Sequence, residues 1–148
     1  QAMQVSKGDN ILVIGAATGY GTAILGKLAG SVIAVETRTQ MVERAQETLV
    51  SIGTDNAVAI KGRLTEGFAN EGPYDAILVE GAVETMPKRI LKQLDNSGRL
   101  VAVWRPADAA VGVASVWTIA GDDFVRKPLF DAQVPVLDEF RCKREFVF

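Results

Sequence analysis

A glycine-rich turn, placed between an apolar run and a helix-like segment, constrains this chain most strongly. The turn covers residues 13–21, with the sequence VIGAATGYG, and carries Gly15, Gly19 and Gly21. Glycine lets a backbone turn tightly and approach a ligand closely, and the free N–H groups at the start of a helix favour an anionic or polar partner. The sequence therefore predicts a cofactor-binding loop between a strand and a helix.

An acidic residue follows the loop at the spacing that nucleotide cofactors use. The short apolar run Val32–Val35 ends in Glu36, which lies 21 positions after Gly15. A carboxylate at a spacing of roughly 20 residues meets the hydroxyl groups of a ribose. The loop and the acid together predict a cofactor that contains a ribose.

Apolar runs alternate with helix-like segments through the first two thirds of the chain. The predicted strands are Asn10–Ile14, Val32–Val35, Asn56–Ile60, Tyr74–Val79 and Arg99–Trp104, and the predicted helices are Tyr20–Ala29, Thr39–Ile52 and one opened by Pro87 that carries Ile90, Leu91 and Leu94 on one face. Asp95–Gly98 is predicted to be a turn. This alternation favours a mostly parallel sheet with its ligand at the carboxyl ends of the strands.

The pattern changes after Pro106. Val111–Ala120, the turn at residues 121–123 and Phe124–Val136 contain no convincing helix and predict an antiparallel hairpin. Phe146–Phe148 is interpreted as a packed terminal strand. Trp104 and Trp117 are expected in the core or on the surface of the sheet.

Composition excludes several classes of protein. The 148 residues fit one domain, 1–148, and a net charge of −2 lacks the basic surplus that nucleic acid would require. No apolar run reaches the roughly 18 residues of a membrane span and no signal peptide is recognised, so we expect a cytoplasmic protein without a membrane partner. The chain has no histidine and only Cys142, which argues against histidine-dependent catalysis, disulfides and a metal site. The oligomeric state is left open.

Several blocks, in order along nearly the whole chain, carry a resemblance to a known family. They are Gly19–Leu25, Val35–Glu36, Pro73–Ile77, Gly81–Ala82 with Pro87, Gln93–Asp95 with Gly98–Leu100, Lys127–Leu129 and Val134–Leu137. Together they resemble the S-adenosylmethionine-dependent methyltransferases, and within them the protein-L-isoaspartate O-methyltransferase family. The resemblance implies an α/β, Rossmann-like class I methyltransferase fold, with a mostly parallel seven-stranded sheet whose last strand runs antiparallel and an antiparallel C-terminal hairpin.

The resemblance also implies a reaction, which is methyl transfer from S-adenosylmethionine to an isoaspartyl carboxylate in damaged proteins. Such a carboxylate is ionised near pH 7 and needs no general base, which suits a chain without histidine. Members of the family hold the isoaspartyl peptide largely through a region that precedes the glycine loop, and this sequence begins after it. We therefore expect residues 1–148 alone to bind the cofactor weakly and to show little activity on isoaspartyl peptides.

The family pattern assigns roles to individual positions. Gly15–Gly19 would cradle the methionine part of the cofactor, Glu36 would hold the ribose, Arg63 and Leu64 would flank the adenine, and Glu80 would border the methyl-transfer cleft. The full set of implied cofactor residues is Gly15, Ala16, Ala17, Gly19, Tyr20, Glu36, Thr37, Arg63, Leu64 and Glu80. No catalytic residue is assigned.

Three positions depart from the family pattern and keep alternatives open. Val13 replaces an acid, Ala17 replaces a glycine, and Arg63 replaces an acid that could accept a hydrogen bond from the adenine amine. These departures would suit a methyltransferase-like binding domain without catalysis. A short-chain dehydrogenase also fits the glycine loop, but its Tyr-x-x-x-Lys pair is missing because Tyr20 and Tyr74 are followed four residues later by Ile24 and Leu78.

Overall fold

The computed structural model describes residues 2–142, which form seven strands, three α-helices and three short 3-10 helices. The strands are β1 Asn10–Ile14, β2 Ser31–Glu36, β3 Ala57–Lys61, β4 Tyr74–Val83, β5 Leu94–Trp104, β6 Gly112–Ala120 and β7 Asp123–Ala132. The helices are α1 Tyr20–Leu28, α2 Thr39–Ile52 and α3 Lys88–Leu91, and the 3-10 helices are Leu64–Glu66, Ala69–Glu71 and Asp138–Phe140.

All seven strands belong to one sheet, in the order β3-β2-β1-β4-β5-β6-β7. The first five are parallel, whereas β6 pairs antiparallel with both β5 and β7. The predicted mostly parallel, seven-stranded sheet with an antiparallel C-terminal hairpin is therefore confirmed. Within the hairpin, β6 is the reversed strand rather than β7, because the short connection at residues 105–111 holds no crossover helix.

The alternation of side chains along the strands builds one core on each face of the sheet. Ile11 and Val13 of β1 pack on the face covered by α1 and α2, with Ala23, Leu25, Ala45 and Leu49. Leu12 and Ile14 pack on the opposite face, with Ile90 and Leu91 of α3. Val13 is fully buried, so the position where the family carries an acid is a core position here.

Two predicted boundaries around β4 and β5 are wrong. We expected the fourth strand to stop at Val79, but β4 continues to Val83 because Ala82 pairs with Val103 and forms a bridge with Val136. The predicted turn Asp95–Gly98 lies within β5, where it forms a bulge between the Tyr74–Leu94 and Ala76–Arg99 pairs. The predicted helical face that included Leu94 is also wrong, since α3 ends at Leu91.

The final predicted strand is too long. β7 ends at Ala132 rather than at Val136, and residues 135–140, which we call the strap, cross back to the carboxyl end of β4. The Ala82 N–H donates to the Pro135 carbonyl oxygen at 3.0 Å, and the Leu137 N–H donates to the Ala82 carbonyl oxygen at 3.0 Å. Phe140 is fully buried and anchors the far end of the strap.

Within the described range 2–142, no helix is long and apolar enough to cross a lipid bilayer. Trp104 and Trp117 form a T-shaped pair with ring centroids 6.2 Å apart, which agrees with their expected positions in the core or on the sheet. The predicted terminal strand at residues 146–148 lies outside the described residues.

Candidate functional site

The glycine loop joins β1 to α1 at the carboxyl edge of the sheet, as its position in the sequence predicts. Gly15 and Gly19 have φ angles of +83° and +88°, in the left-handed region that glycine adopts without strain. A β-carbon on Gly19 would lie 2.8 Å from the backbone oxygen of Ala45, so only glycine fits between the loop and α2. Ala17 has a φ of +48°, which places a methyl group on a left-handed backbone.

The structure brings the predicted loop and the predicted acid together. The Ala17 N–H donates to Oε2 of Glu36 at 3.1 Å, and the Thr37 N–H donates to Oε1 at 3.0 Å. The Gly15 N–H donates to the carbonyl oxygen of Val35 at 2.9 Å, which ties the start of the loop to β2. Glu36 is therefore held in a fixed orientation beside the loop.

A cavity of about 270 Å³ opens beside this carboxylate. It is lined by Glu36, Thr37, Arg38, Met41, Leu64, Leu137, Asp138 and Glu139. Of the residues that the sequence assigned to a cofactor, Glu36, Thr37 and Leu64 line the cavity directly. Its walls come from the end of β2, the start of α2, the 3-10 helix after β3 and the strap, so residues distant in sequence meet at one edge of the sheet.

None of the other seven assigned residues lines this cavity. The side chain of Arg63 is 80% exposed, and its guanidinium lies 3.8 Å from Glu66. Tyr20 is 62% exposed at the start of α1, whereas Ala16 is buried in the core below the loop. Only the backbone of Ala16 can therefore face a ligand.

Glu80 lies within β4, three positions before the strand ends at Val83, and packs against the first turn of α1. A β-carbon on Gly21 would fall 2.2 Å from Oε1 of Glu80, so the carboxyl group occupies the space that the glycine leaves open. Burial raises the pKa of Glu80 from 4.5 to about 7, and the nearby negative charge of Glu36 adds to the shift. Glu80 therefore keeps its proton to a higher pH than an exposed carboxyl group does.

Sequence reasoning missed Glu139, which reaches both walls of the cavity. The Thr37 hydroxyl donates to its Oε1 at 2.5 Å, and the Leu64 N–H donates to its Oε2 at 2.8 Å. Glu139 lies 102 positions from Thr37, in a segment after Val136 for which the sequence predicts no element. No local pattern marks such a residue, because the path of the strap sets its position.

Glu84, which directly follows β4, secures the segment that follows the strap. Its carboxylate accepts a hydrogen bond from the Cys142 N–H at 2.8 Å and lies 3.5 Å from the guanidinium of Arg141. The Glu84 N–H donates to the carbonyl oxygen of Phe140 at 3.1 Å. These contacts fix the strap at the carboxyl end of β4 and give Glu84 a structural role.

Comparisons with known proteins agree with this architecture. The sequence profile of the family described as protein-L-isoaspartate(D-aspartate) O-methyltransferase matches residues 1–111. A protein-L-isoaspartate O-methyltransferase of Methanoculleus marisnigri is 36% identical over 106 residues, which are 72% of this chain and 48% of that protein. The chain thus spans about half the length of the curated relatives it matches.

Solved structures share the fold. A protein-L-isoaspartate O-methyltransferase structure superposes with a TM-score of 0.85 at 22% identity, over 92% of this chain and 44% of the other. A putative protein-L-isoaspartate O-methyltransferase from Plasmodium falciparum, in complex with S-adenosyl-L-homocysteine, gives a TM-score of 0.74 at 20% identity, over 90% of this chain and 67% of the other. With the profile match across most of its length, the chain belongs to the protein-L-isoaspartate(D-aspartate) O-methyltransferase family.

Proposed function

We propose that the chain binds S-adenosylmethionine in the cavity beside Glu36 and takes part in methyl transfer to an isoaspartyl carboxylate in damaged proteins. Membership of the family supports the reaction. The S-adenosyl-L-homocysteine bound by the structural neighbour from Plasmodium falciparum supports the cofactor. A dehydrogenase is disfavoured by the same family membership.

One observation carries the cofactor assignment, namely the fixed carboxylate of Glu36 beside the glycine loop. A carboxylate has about four acceptor positions, and the N–H groups of Ala17 and Thr37 use two of them. The remaining positions are available to the two hydroxyl groups of a ribose. The residues present therefore fit a nucleoside cofactor.

The other assigned residues are proposed to act around this anchor. Gly15–Gly19 would hold the methionine part through backbone N–H groups, and Leu64 would pack against the adenine and offer its N–H. Thr37 would support Glu36 at the ribose. Arg63 would flank the adenine from the mouth of the cavity, where its side chain is exposed.

The proposed methyl transfer requires the protein to orient the reactants, but it requires no general base. When bound, S-adenosylmethionine supplies an electrophilic methyl group on a sulfonium centre. The isoaspartyl carboxylate is already ionised near neutral pH, so the chain needs no general base to activate it. Its contribution is to align donor and acceptor and to exclude water, which suits a site without histidine.

The first test is binding of S-adenosylhomocysteine to residues 1–148, measured as a shift in melting temperature. At a hundredfold excess over Kd the ligand should stabilise the protein by about 2.7 kcal/mol, which raises Tm by several degrees. Glu36→Gln should bind at least several-fold more weakly, and Glu47→Ala, which removes an exposed carboxylate of α2, should bind normally. Absence of a shift in the unaltered chain would overturn the proposal, and a shift with NADPH alone would favour the dehydrogenase.

A second measurement separates an enzyme from a binding domain. The positive φ of Ala17 favours the binding domain, since its methyl group crowds the loop. Labelled methyl transfer to an isoaspartyl peptide, with the matching aspartyl peptide as control, should show slow turnover specific to the isoaspartyl form. Binding without any specific transfer, even at high protein concentration, would indicate that this chain only binds the cofactor.

We further propose a cytoplasmic location. The only cysteine of the sequence, Cys142, is exposed and cannot form an internal disulfide, which suits a reducing compartment. Fractionation of cells that express the tagged protein would test this, and recovery in a membrane or secreted fraction would contradict it.

A further inference from the structure

Glu139 occupies a position in the cavity that no motif assigns. Its carboxylate accepts hydrogen bonds from the Thr37 hydroxyl at 2.5 Å and from the Leu64 N–H at 2.8 Å. Thr37 follows β2 and Leu64 opens the 3-10 helix after β3, so the carboxylate spans two walls. The strap that carries it is fixed to β4 by the backbone bonds of Ala82.

The residue expected to accept a hydrogen bond beside Leu64 cannot do so. Arg63 has only donors, and its side chain is turned outward toward Glu66. The family pattern places an acid at this position, so the cavity lacks that acceptor. Glu139 brings a carboxylate to the neighbouring N–H from a different part of the chain.

The other two carboxylates that line the cavity have other assignments. Each oxygen of Glu36 accepts one backbone N–H beside the loop, and its remaining acceptor positions are assigned to the ribose. The side chain of Asp138 is 93% exposed and pairs with Arg141 at 3.2 Å. Glu139 is therefore the carboxylate of the cavity that lies beside the Leu64 N–H and is assigned to no other part of the cofactor.

A hydrogen-bond donor and an acceptor that lie side by side are complementary to one edge of adenine. That edge presents a ring nitrogen, which accepts a hydrogen bond, next to the 6-amino group, which donates one. The Leu64 N–H and the Glu139 carboxylate offer the complementary pair. When the ring nitrogen takes the Leu64 N–H, Oε2 of Glu139 becomes available to the amino group while Thr37 retains Oε1, so each group exchanges one partner for another.

We propose that Glu139 selects adenine by accepting a hydrogen bond from its 6-amino group, beside a bond from the Leu64 N–H to the ring. This inference rests on the proposed function, since it assumes that the adenine lies in this cavity. A charged acceptor makes such a bond strong, and a ligand without the amino group leaves the carboxylate without that donor. The expected preference for the amino group is about tenfold or more.

The test compares two ligands by isothermal titration calorimetry on residues 1–148. One ligand is S-adenosylhomocysteine, and the other is its analogue in which unsubstituted purine replaces adenine, so that only the amino group is missing. The unaltered chain should prefer S-adenosylhomocysteine by about tenfold or more. Glu139→Ala should bind both ligands with similar, weak affinity, and Glu139→Gln, whose amide oxygen still accepts, should keep part of the preference.

Glu47→Ala serves as the matched control, because it removes one exposed carboxylate and leaves the cavity intact. It should show the preference of the unaltered chain, and circular dichroism should show that all variants are folded. If the unaltered chain binds both ligands equally, or if Glu139→Ala binds S-adenosylhomocysteine more tightly, the assignment of Glu139 is wrong and the proposed function stands. If the unaltered chain binds neither ligand, the proposed function fails and the assignment of Glu139 fails with it.

Discussion

The carboxyl group of Glu80 packs directly on the α-carbon of Gly21, in the first turn of α1. A β-carbon at Gly21 would lie 2.2 Å from Oε1 and 3.2 Å from the carboxyl carbon of Glu80. The observed position of the Glu80 carboxyl group therefore requires a glycine at position 21. This packing removes water from the carboxyl group, and burial is the larger cause of its raised pKa. An acid that is costly to ionise therefore lies between β4 and the loop.

The stability of the protein should depend on pH through Glu80. The pKa of Glu80 rises from 4.5 to about 7 on folding, so the folded state keeps a proton that the unfolded state has lost. The free energy of unfolding should therefore fall as pH rises from about 4.5 to about 7, and stay level above that range. Glu80→Gln removes this loss and should raise stability at pH 8 by about 1 kcal/mol, allowing for partial exposure, which raises Tm by about 3 °C.

Urea denaturation at several pH values between 4.5 and 8 measures this effect. The difference in unfolding free energy between Glu80→Gln and the unaltered chain should grow with pH across the range. Glu47→Gln provides the control, because the carboxylate of Glu47 is exposed. An unchanged pH profile in Glu80→Gln would show that Glu80 ionises normally.

The strap should respond to a change at Gly81. A β-carbon there would lie 2.6 Å from Cγ of Leu137, so Gly81→Ala should displace the strap and cost about 1–3 kcal/mol. Adding Leu137→Ala should restore part of this loss, because the two changes act on one contact. Chemical denaturation of both single variants and the double variant measures the coupling.

Gly8→Ala is the control for this series, since a β-carbon there meets nothing within 4 Å. Its stability should change by less than about 0.5 kcal/mol. Strictly additive losses in Gly81→Ala and Leu137→Ala would contradict a direct contact between the strap and β4.

Replacing Ala17 with glycine should improve ligand binding more than stability. A left-handed backbone costs an L-residue about 1–2 kcal/mol, and the greater freedom of glycine in the unfolded chain offsets about half of the gain. Without the methyl group the loop can close on a ligand, so S-adenosylhomocysteine should bind several-fold more tightly by calorimetry. Ala110→Gly, in an exposed loop, should leave the affinity unchanged, and an equal gain there would contradict the argument.

Thr22 offers a test of buried polarity in α1. It is fully buried, and its hydroxyl finds no hydrogen-bond partner among residues 2–142. Thr22→Val keeps the shape and removes this unpaired group, so it should stabilise the protein by about 1 kcal/mol. Thr22→Ser keeps the hydroxyl and loses a methyl group, so thermal denaturation should show a lower Tm. If Thr22→Val also lowers Tm, the Thr22 hydroxyl has a hydrogen-bond partner and the prediction is wrong.

Local patterns predict much of this structure. The glycine loop and Glu36 are found by spacing, because a strand, a tight turn and a helix place them at one edge of a parallel sheet. The bulge at Asp95–Gly98 shows the limit, since turn-forming residues also suit an irregular strand. The roles of the assigned site residues stay predictions.

The positions of Glu139 and of the Arg63 side chain depend on contacts between residues that are distant in sequence. Glu139 enters the cavity because Ala82 binds the strap, and neither residue carries a motif for that pairing. Arg63 matches a cofactor position in the family pattern, yet its side chain turns toward Glu66. Such orientations depend on tertiary partners that no short window contains.

The bridge at Ala82 also bears on how the cleft forms during synthesis. β1 pairs with β4 as far as Val79, and beyond that point Ala82 gives both backbone groups to the strap while β5 holds the opposite edge of β4. Beyond the end of β1, the strap thus takes the place of β1 beside β4. Since Glu139 follows Thr37 by 102 positions, the loop and its acid are synthesised well before the strap, and the cleft lacks this wall until residue 139 has emerged from the ribosome.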